Sequence, residues 1–181
     1  MQPLSEFSTE IETPRLILRA LGPTRKNAEM IFRAVDANRE YLMQWQGHFG
    51  EIKTVDDMVA YLTKRAKQIE ANAGVCFYIF CGKDLIGRIR FFDVQDCACE
   101  IGYWLIESAN GHGFMTEALI ALENELFKFG FNKIKLDIDD GNIPSENLAK
   151  HNGYTLEKRL PMASWARAVG KCDSLIYVKS K

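Results

Sequence analysis

Glu100-Ile-Gly-Tyr-Trp-Leu-Ile-Glu-Ser-Ala-Asn-Gly-His-Gly-Phe-Met-Thr-Glu-Ala-Leu119 changes its period halfway along. Up to Ile106 the side chains alternate as in a strand. From Met115 onward apolar residues recur at helical spacing, and Gly111 and Gly113 lie between the two patterns. A strand that runs through a glycine turn into a helix start leaves unshielded N–H groups at the positive helix end, where an anion such as a phosphate is favoured. Spacing alone does not separate such a cradle from an ordinary tight turn. No Gly-Lys-Ser/Thr follows, so this is not a Walker loop; Thr116 stands where a dinucleotide fingerprint needs its third glycine.

Working outward, the spacing predicts a helix over about 115–129 with Ala118, Leu119, Leu122, Leu126 and Phe129 on its apolar face, closed by Gly130. Lys133-Ile-Lys-Leu-Asp-Ile-Asp139 alternates as a strand, so 99–139 forms a strand, helix and strand crossover able to set two strands parallel. Upstream, strands at 75–80, 85–91 and 99–106 are separated by Gly82-Lys-Asp84 and Asp93-Val-Gln-Asp96, loops short enough for antiparallel hairpins. Arg15-Leu-Ile-Leu-Arg19 reads as an earlier strand. Two helices lie between, over about 25–36 and after the N-cap Thr54; Val55, Met58, Val59, Leu62, Ala66 and Ile69 face one way on the second, and Asn72-Ala-Gly74 ends it. A short helix near 145–151 and strands at 154–158 and 174–178 complete the chain. The fold class is α+β: a mostly antiparallel central sheet with one parallel pair, flanked by helices. No repeat or linker divides it, so residues 1–181 are expected to form one domain.

The 181 residues carry 23 basic against 24 acidic side chains and are 47% hydrophobic. Near-neutral charge argues against a nucleic-acid partner. No apolar run suits a bilayer span, and Glu6 and Glu10 sit where a secretory signal needs basic and then apolar residues; a cytoplasmic protein without membrane association is expected. From Lys150 to Lys181 seven bases face only Glu157 and Asp173, a net +5 that leaves −6 for residues 1–149. This basic end is either a solvated surface or a site for an anionic cofactor. Five cysteines without CxxC spacing and three scattered histidines indicate neither disulfides nor a metal site.

Several separated blocks, in order, resemble the GNAT superfamily of acyl-CoA N-acyltransferases, and within it the Rim-type ribosomal-protein N-acetyltransferases. These are Thr13-Pro-Arg-Leu-Ile-Leu-Arg19, Glu-Ile-Gly-Tyr-Trp-Leu105, the Gly-x-Gly loop, Met-Thr-Glu-Ala-Leu119, and Asn142-Ile-Pro-Ser145 leading to Asn152-Gly-Tyr154. The resemblance implies a splayed parallel strand pair and acetyl-CoA as cofactor. It places the N–H groups of Gly111, His112, Gly113, Phe114 and Met115 around the pyrophosphate, with the Thr116 hydroxyl. It leaves the backbone of Trp104 and Ile106 free for the pantetheine arm, and sets Asn142, Ser145 and Asn147 beside the thioester. Lys150, on the short helix, would meet the nucleotide phosphates. Asn110 and Ser108 depart from the glutamine or arginine usual before this loop, which weakens side-chain support but not the backbone cradle.

Aminolysis of a thioester needs a neutral amine, a polarised carbonyl and a proton for the departing thiolate. Glu100 is the candidate base: alternation puts it with Gly102, Trp104 and Ile106 on one face, although a strand glutamate paired to Arg88 or Arg90 reads equally well. Ser145 is either the thiolate-side donor or a helix N-cap. Tyr154 and Tyr177 are weaker acids for that step. Tyr41 and Trp45, with His48 and Phe49, fall where this superfamily builds its acceptor pocket, although three aromatics within nine residues read equally well as a cover for the core. The acceptor is then a protein N-terminus, with a small amine (polyamine or aminoglycoside) or a silent acyl-CoA-binding module as the alternatives. The branch often forms homodimers.

Overall fold

A computed structural model describes residues 3–71 and 73–181, with side chains for all but 68–70. The expectations resting on Met1, Gln2, Asn72 and the Ile69 side chain lie outside the described residues. In chain order the elements are β1 (Glu10–Glu12), β2 (Ile17–Ala20), α1 (Arg25–Ala37), α2 (Arg39–Leu42), α3 (Val55–Glu70), β3 (Gly74–Cys81), β4 (Asp84–Gln95), β5 (Ala98–Leu105), α4 (Phe114–Phe129), β6 (Lys133–Asp139), α5 (Ile143–His151), β7 (Thr155–Ala166) and β8 (Gly170–Ser180). They build one sheet in the order β1-β2-β3-β4-β5-β6-β8-β7, antiparallel except for β5 against β6. Among the described residues no helix is long and apolar enough to cross a membrane.

Local chemistry explains the helix limits. Thr54 Oγ1 accepts from the Asp57 amide (3.1 Å) and the Asp57 carboxylate accepts from the Thr54 amide (2.8 Å), a reciprocal capping box at the start of α3. Helix α4 ends where Gly130 takes φ +112°, a left-handed conformation that a side chain would strain. The α5 start corrects one expectation: Asn142, not Ser145, is the N-cap, its side chain accepting from the Ser145 amide at 3.4 Å. Pro144 is tolerated because first-turn N–H groups have no intrahelical acceptor.

Two apolar layers cover the sheet. On one face Ile101, Leu105, Ile134, Leu136 and Ile138 pack with Leu119, Leu122 and Leu126 of α4 and Ala149 of α5. On the other, Tyr78, Phe80, Leu85 and Trp104 pack with Ile31 and Val35 of α1 and Met58 and Leu62 of α3. A buried polar tie fixes α4 to the C-terminal strands: Glu123 accepts from the Tyr154 hydroxyl and from Lys179 Nζ, both at 2.6 Å. That tie buries Tyr154 in the core beside α4 with its hydroxyl committed to Glu123, which takes it out of the expected chemistry.

The turn before β5 also differs. Strand β4 runs on to Gln95 through a bulge at Asp93, and the tight turn is Asp96-Cys97, both at positive φ, as a two-residue hairpin turn requires. Near the C-terminus, β7 and β8 form a hairpin far longer than the two short strands expected.

Candidate active site

The parallel pairing lasts three registers, Ala98↔Lys133, Cys99↔Ile134 and Glu100↔Lys135. Beyond it β5 stays bonded to β4 as far as Leu105↔Gly87, and β6 to β8 as far as Asp139↔Ser174. Two strands that release each other while held by their outer neighbours must diverge, and a cavity of about 480 Å³ opens in the V. Such a volume lies in the range of small-ligand sites.

Which backbone groups face the opening follows from register. The Ile106 amide donates to Ile86 O (2.9 Å), and its carbonyl accepts from the Ala109 amide (3.1 Å). The Trp104 carbonyl points toward β4, 2.4 Å from where a Cβ on Gly87 would stand. Antiparallel strands direct alternate residues to alternate sides, so Tyr103 and Leu105, not Trp104 and Ile106, turn their peptide groups to the V. The expected pair is corrected by one residue, and Ile106 does not line the cavity.

At the mouth, Gly111 and Gly113 take φ +79° and +73°. Gly113 is the α4 N-cap and supplies no side-chain bond. Among the described residues no carbonyl or side chain accepts from the amides of residues 111–116, and a Cβ on Gly111 would meet nothing within 4 Å. Gly111, Gly113, Phe114, Met115 and Thr116 line the cavity. His112 does not; its ring stacks on Phe114 and its carbonyl accepts from Arg15 Nη1 at 3.0 Å. Asn110 turns inward to bond Ile106 O and Glu107 O, so the atypical side chain braces its own turn.

The loop is also braced from the N-terminal segment. Glu117 accepts from Thr13 Oγ1 (2.6 Å), the Arg15 amide (2.9 Å) and Arg15 Nε (2.6 Å), while the Arg15 guanidinium lies 4.7 Å from the Phe114 ring centre. Burial would raise the Glu117 carboxyl, but the Thr13 and Arg15 hydrogen bonds outweigh it and hold it below its ordinary value. Its stabilising contribution is therefore present above the ordinary carboxylate range and is lost as pH falls through the lowered value. Glu117→Gln is expected to lower the melting temperature by a few degrees at pH 7, for a loss of about 1–3 kcal/mol, and to narrow the gap to wild type at low pH. Calorimetry at the two pH values checks this.

Ser145 and Asn147 of α5 and its N-cap Asn142 line the cavity, as do Tyr41 of α2 and Trp45 just after that helix. Lys150 stays outside, paired with Glu146 at 3.0 Å, and His151 lines the cavity instead. Tyr177 also lies outside, its hydroxyl donating to Glu146 at 3.3 Å. Glu100 belongs to the last parallel pair at the closed end of the V and does not itself line the cavity, although its neighbour Ile101 does. Its ion-pair partner is Lys135 (3.9 Å), not Arg88 or Arg90, which face Trp104 and Gly102 in the register. Burial pushes the Glu100 carboxyl up, and the nearby Asp137 charge adds to the rise.

Several lining residues escaped the sequence reading, Asp137, Asp139 and Tyr103 among them. Asp137 accepts from Ser174 Oγ at 2.5 Å, Asp139 accepts from Ser164 Oγ, and burial pushes the Tyr103 hydroxyl, which finds no hydrogen-bond partner among the described residues, up to about 12. The alternation of 133–139 carried the signal for the two aspartates, because it sets them on the face opposite Ile134, Leu136 and Ile138.

Comparison with known proteins agrees with this geometry. A family profile described as an acetyltransferase (GNAT) domain matches residues 15–155. A ribosomal-protein-serine acetyltransferase of Escherichia coli (strain K12) is 37% identical over 94 residues, 49% of this chain and 51% of that protein, so the chain matches about half the length of this curated relative. Among solved structures, RimL, a ribosomal L7/L12 alpha-N-protein acetyltransferase in complex with coenzyme A, superposes with a TM-score of 0.88 at 22% identity over 94% of this chain and 97% of that one. A ribosomal-protein-S5-alanine acetyltransferase from Vibrio fischeri gives 0.82 at 17% identity, covering 96% and 97%.

Proposed function

The chain belongs to the GNAT acetyltransferase family, and from that membership we propose that residues 1–181 act as one acetyl-CoA-dependent N-acetyltransferase domain whose acceptor is the N-terminal α-amino group of a ribosomal or other cytosolic protein. The observation that carries the reading is the V between β5 and β6 meeting the unbonded amides of residues 111–116 in one cavity. Those amides, lacking any internal acceptor among the described residues, fit a diphosphate, and the open space over Gly111 leaves room for it. Bound acetyl-CoA supplies an acyl group already activated as a thioester.

The residues of this chain divide the remaining work. The amides of 111–116 and the Thr116 hydroxyl hold the phosphates; the peptide groups of Tyr103 and Leu105 pair with the amides of the pantetheine arm; Asn142 and Asn147 flank it. Glu100 takes the proton of the attacking amine, directly or through water, and its raised affinity for protons suits that role. Ser145, with the Tyr103 hydroxyl beside it, offers a proton on the thiol side. Tyr41 and Trp45 receive the acceptor. At pH 7 freeing an α-amine of pKa about 7.8 costs roughly 1 kcal/mol, against roughly 4.6 for a lysine near 10.4, so one carboxylate suffices for the former.

Thiol release from acetyl-CoA on incubation with N-terminal peptides, aminoglycosides and polyamines tests the proposal. Release with peptides supports it; release with small amines alone, or with none, overturns it. A homodimer joined through the C-terminal strands is part of the same reading. Strand β7 is the last of the sheet, and Met162 and Trp165 on it are 54% and 66% exposed. Sedimentation of a species twice the 20.6 kDa chain is expected; a monomer alone would contradict it.

A further inference from the structure

Arg88 and Arg90 share the α3-facing side of β4, and among the described residues neither forms an ion pair; Arg90 acts on the Glu100 carboxylate only through space. Arg88 is 2% exposed, and Tyr61, Cys76 and Tyr78 are the opposing groups around it; its Nη1 donates to the Tyr61 hydroxyl. Arg90 lies two residues on, so its side chain shares that face. Among the described residues Arg90 has neither hydrogen bond nor ion pair, and its Nε is buried without a partner. The guanidinium lies over Phe92, its Cζ 3.9 Å from the ring centre. Arg65 stands close enough to act on both, and His48, surrounded by all three, is pushed down to about 3 by burial and by their charges, hence neutral.

Buried or half-buried guanidinium groups ordinarily find a carboxylate, because desolvation without a counter-charge is unfavourable. A planar fork already resting against an aromatic ring has little freedom left to lose on binding a carboxylate. The place of this fork is informative. Arg90 pairs in register with Gly102, a lining residue of the cavity, and its Nε is 3.7 Å from where a Cβ on Gly102 would stand. The glycine loop that suits phosphates leads into α4 on the other face of the sheet. An anion at Arg90 therefore belongs to the acceptor side.

We propose that Arg90, backed by the buried charge of Arg88, recognises a carboxylate on the acceptor, supplied by an acidic side chain at its second or third residue. Spacing sets that position. Glu100 pairs with Phe92 and Arg90 with Gly102, so base and guanidinium are diagonal neighbours whose backbones lie about 7–8 Å apart. An extended peptide advances about 3.3 Å per residue, and an amine held at Glu100 brings the residue one or two places on within reach of Arg90. The inference rests on the acceptor reading above and deepens it.

The test uses matched peptides with Glu or Gln at residues 2 and 3, assayed with the full chain. Wild type is expected to favour the Glu peptide by about tenfold in kcat/KM, and Arg90→Gln to bring the ratio near one, with Arg90→Lys between, since it keeps the charge but not the fork. Raised salt should shrink the wild-type preference. Equal turnover of both peptides by wild type, or a preference that survives in Arg90→Gln, overturns the proposal. Should no peptide be acetylated, the acceptor reading fails by itself, and calorimetric titration of both peptides into the CoA-saturated wild type decides the inference: tighter Glu-peptide binding supports it, equal affinity overturns it. The wild-type comparison stands even if a variant does not fold.

Discussion

Glu100→Gln is expected to lower kcat by about 10²- to 10⁴-fold, the range spanned by a positioned general base. The wild-type rate should fall as pH drops through the Glu100 ionisation, because the protonated carboxyl cannot accept the amine proton. Burial first, and then the Asp137 charge, set that ionisation above the ordinary carboxylate range, so the acid limb lies at higher pH than a solvated glutamate would give. In Glu100→Gln the limb vanishes. Stability separates a base from a structural partner. A carboxyl whose folded pKa is raised opposes folding once ionised, so at pH 7 the glutamine variant should melt no lower than wild type. A variant that loses stability, or keeps its pH profile, would contradict the assignment.

Gly113→Val should have the second largest effect, on the cofactor side. At φ +73° a β-branched residue is strained by about 1–2 kcal/mol, and relief of that strain rotates the peptide that presents the Phe114 amide. The added carbon would stand 3.6 Å from Arg15 Nη2, an ordinary contact, so the backbone strain and not a clash carries the effect. Converted at 1.4 kcal/mol per factor of ten, the KM for acetyl-CoA should rise about tenfold or more. Gly82→Val is the control: Gly82 has φ +60° in the turn between β3 and β4, so it carries similar strain far from the loop. It should lower the melting temperature and leave the KM unchanged.

Elements whose signals are local were legible in the sequence. Thr54 and Asp57 cap α3 by side-chain bonds within one turn, Gly130 stops α4, and the alternation of 133–139 matches β6 residue for residue. The glycine loop was legible in its own stretch, whereas the lining by Tyr41, Trp45, Asn142, Ser145 and Asn147 agrees with what the family resemblance implied and carried no local signal of its own. Features that depend on long-range register did not follow. The parity of β5 is set by the Asp96-Cys97 turn and the bulge at Asp93, and this decides whether Trp104 or Tyr103 offers its peptide groups to the V. Strand β7 buries little on either face, so it gives no apolar alternation to read. The arginine cluster was invisible for a third reason: Arg65 is on α3, and only packing brings it to Arg88 and Arg90.

The central claim is acetyl transfer to an α-amine in the cavity between β5 and β6. It is tested most directly by incubating the protein and acetyl-CoA with a peptide that bears a free N-terminus and an internal lysine, then locating the acetyl group by tandem mass spectrometry. The expected result is one acetyl group on the N-terminal nitrogen and an unmodified lysine. Acetyl on the lysine, or an unmodified peptide, would contradict the account.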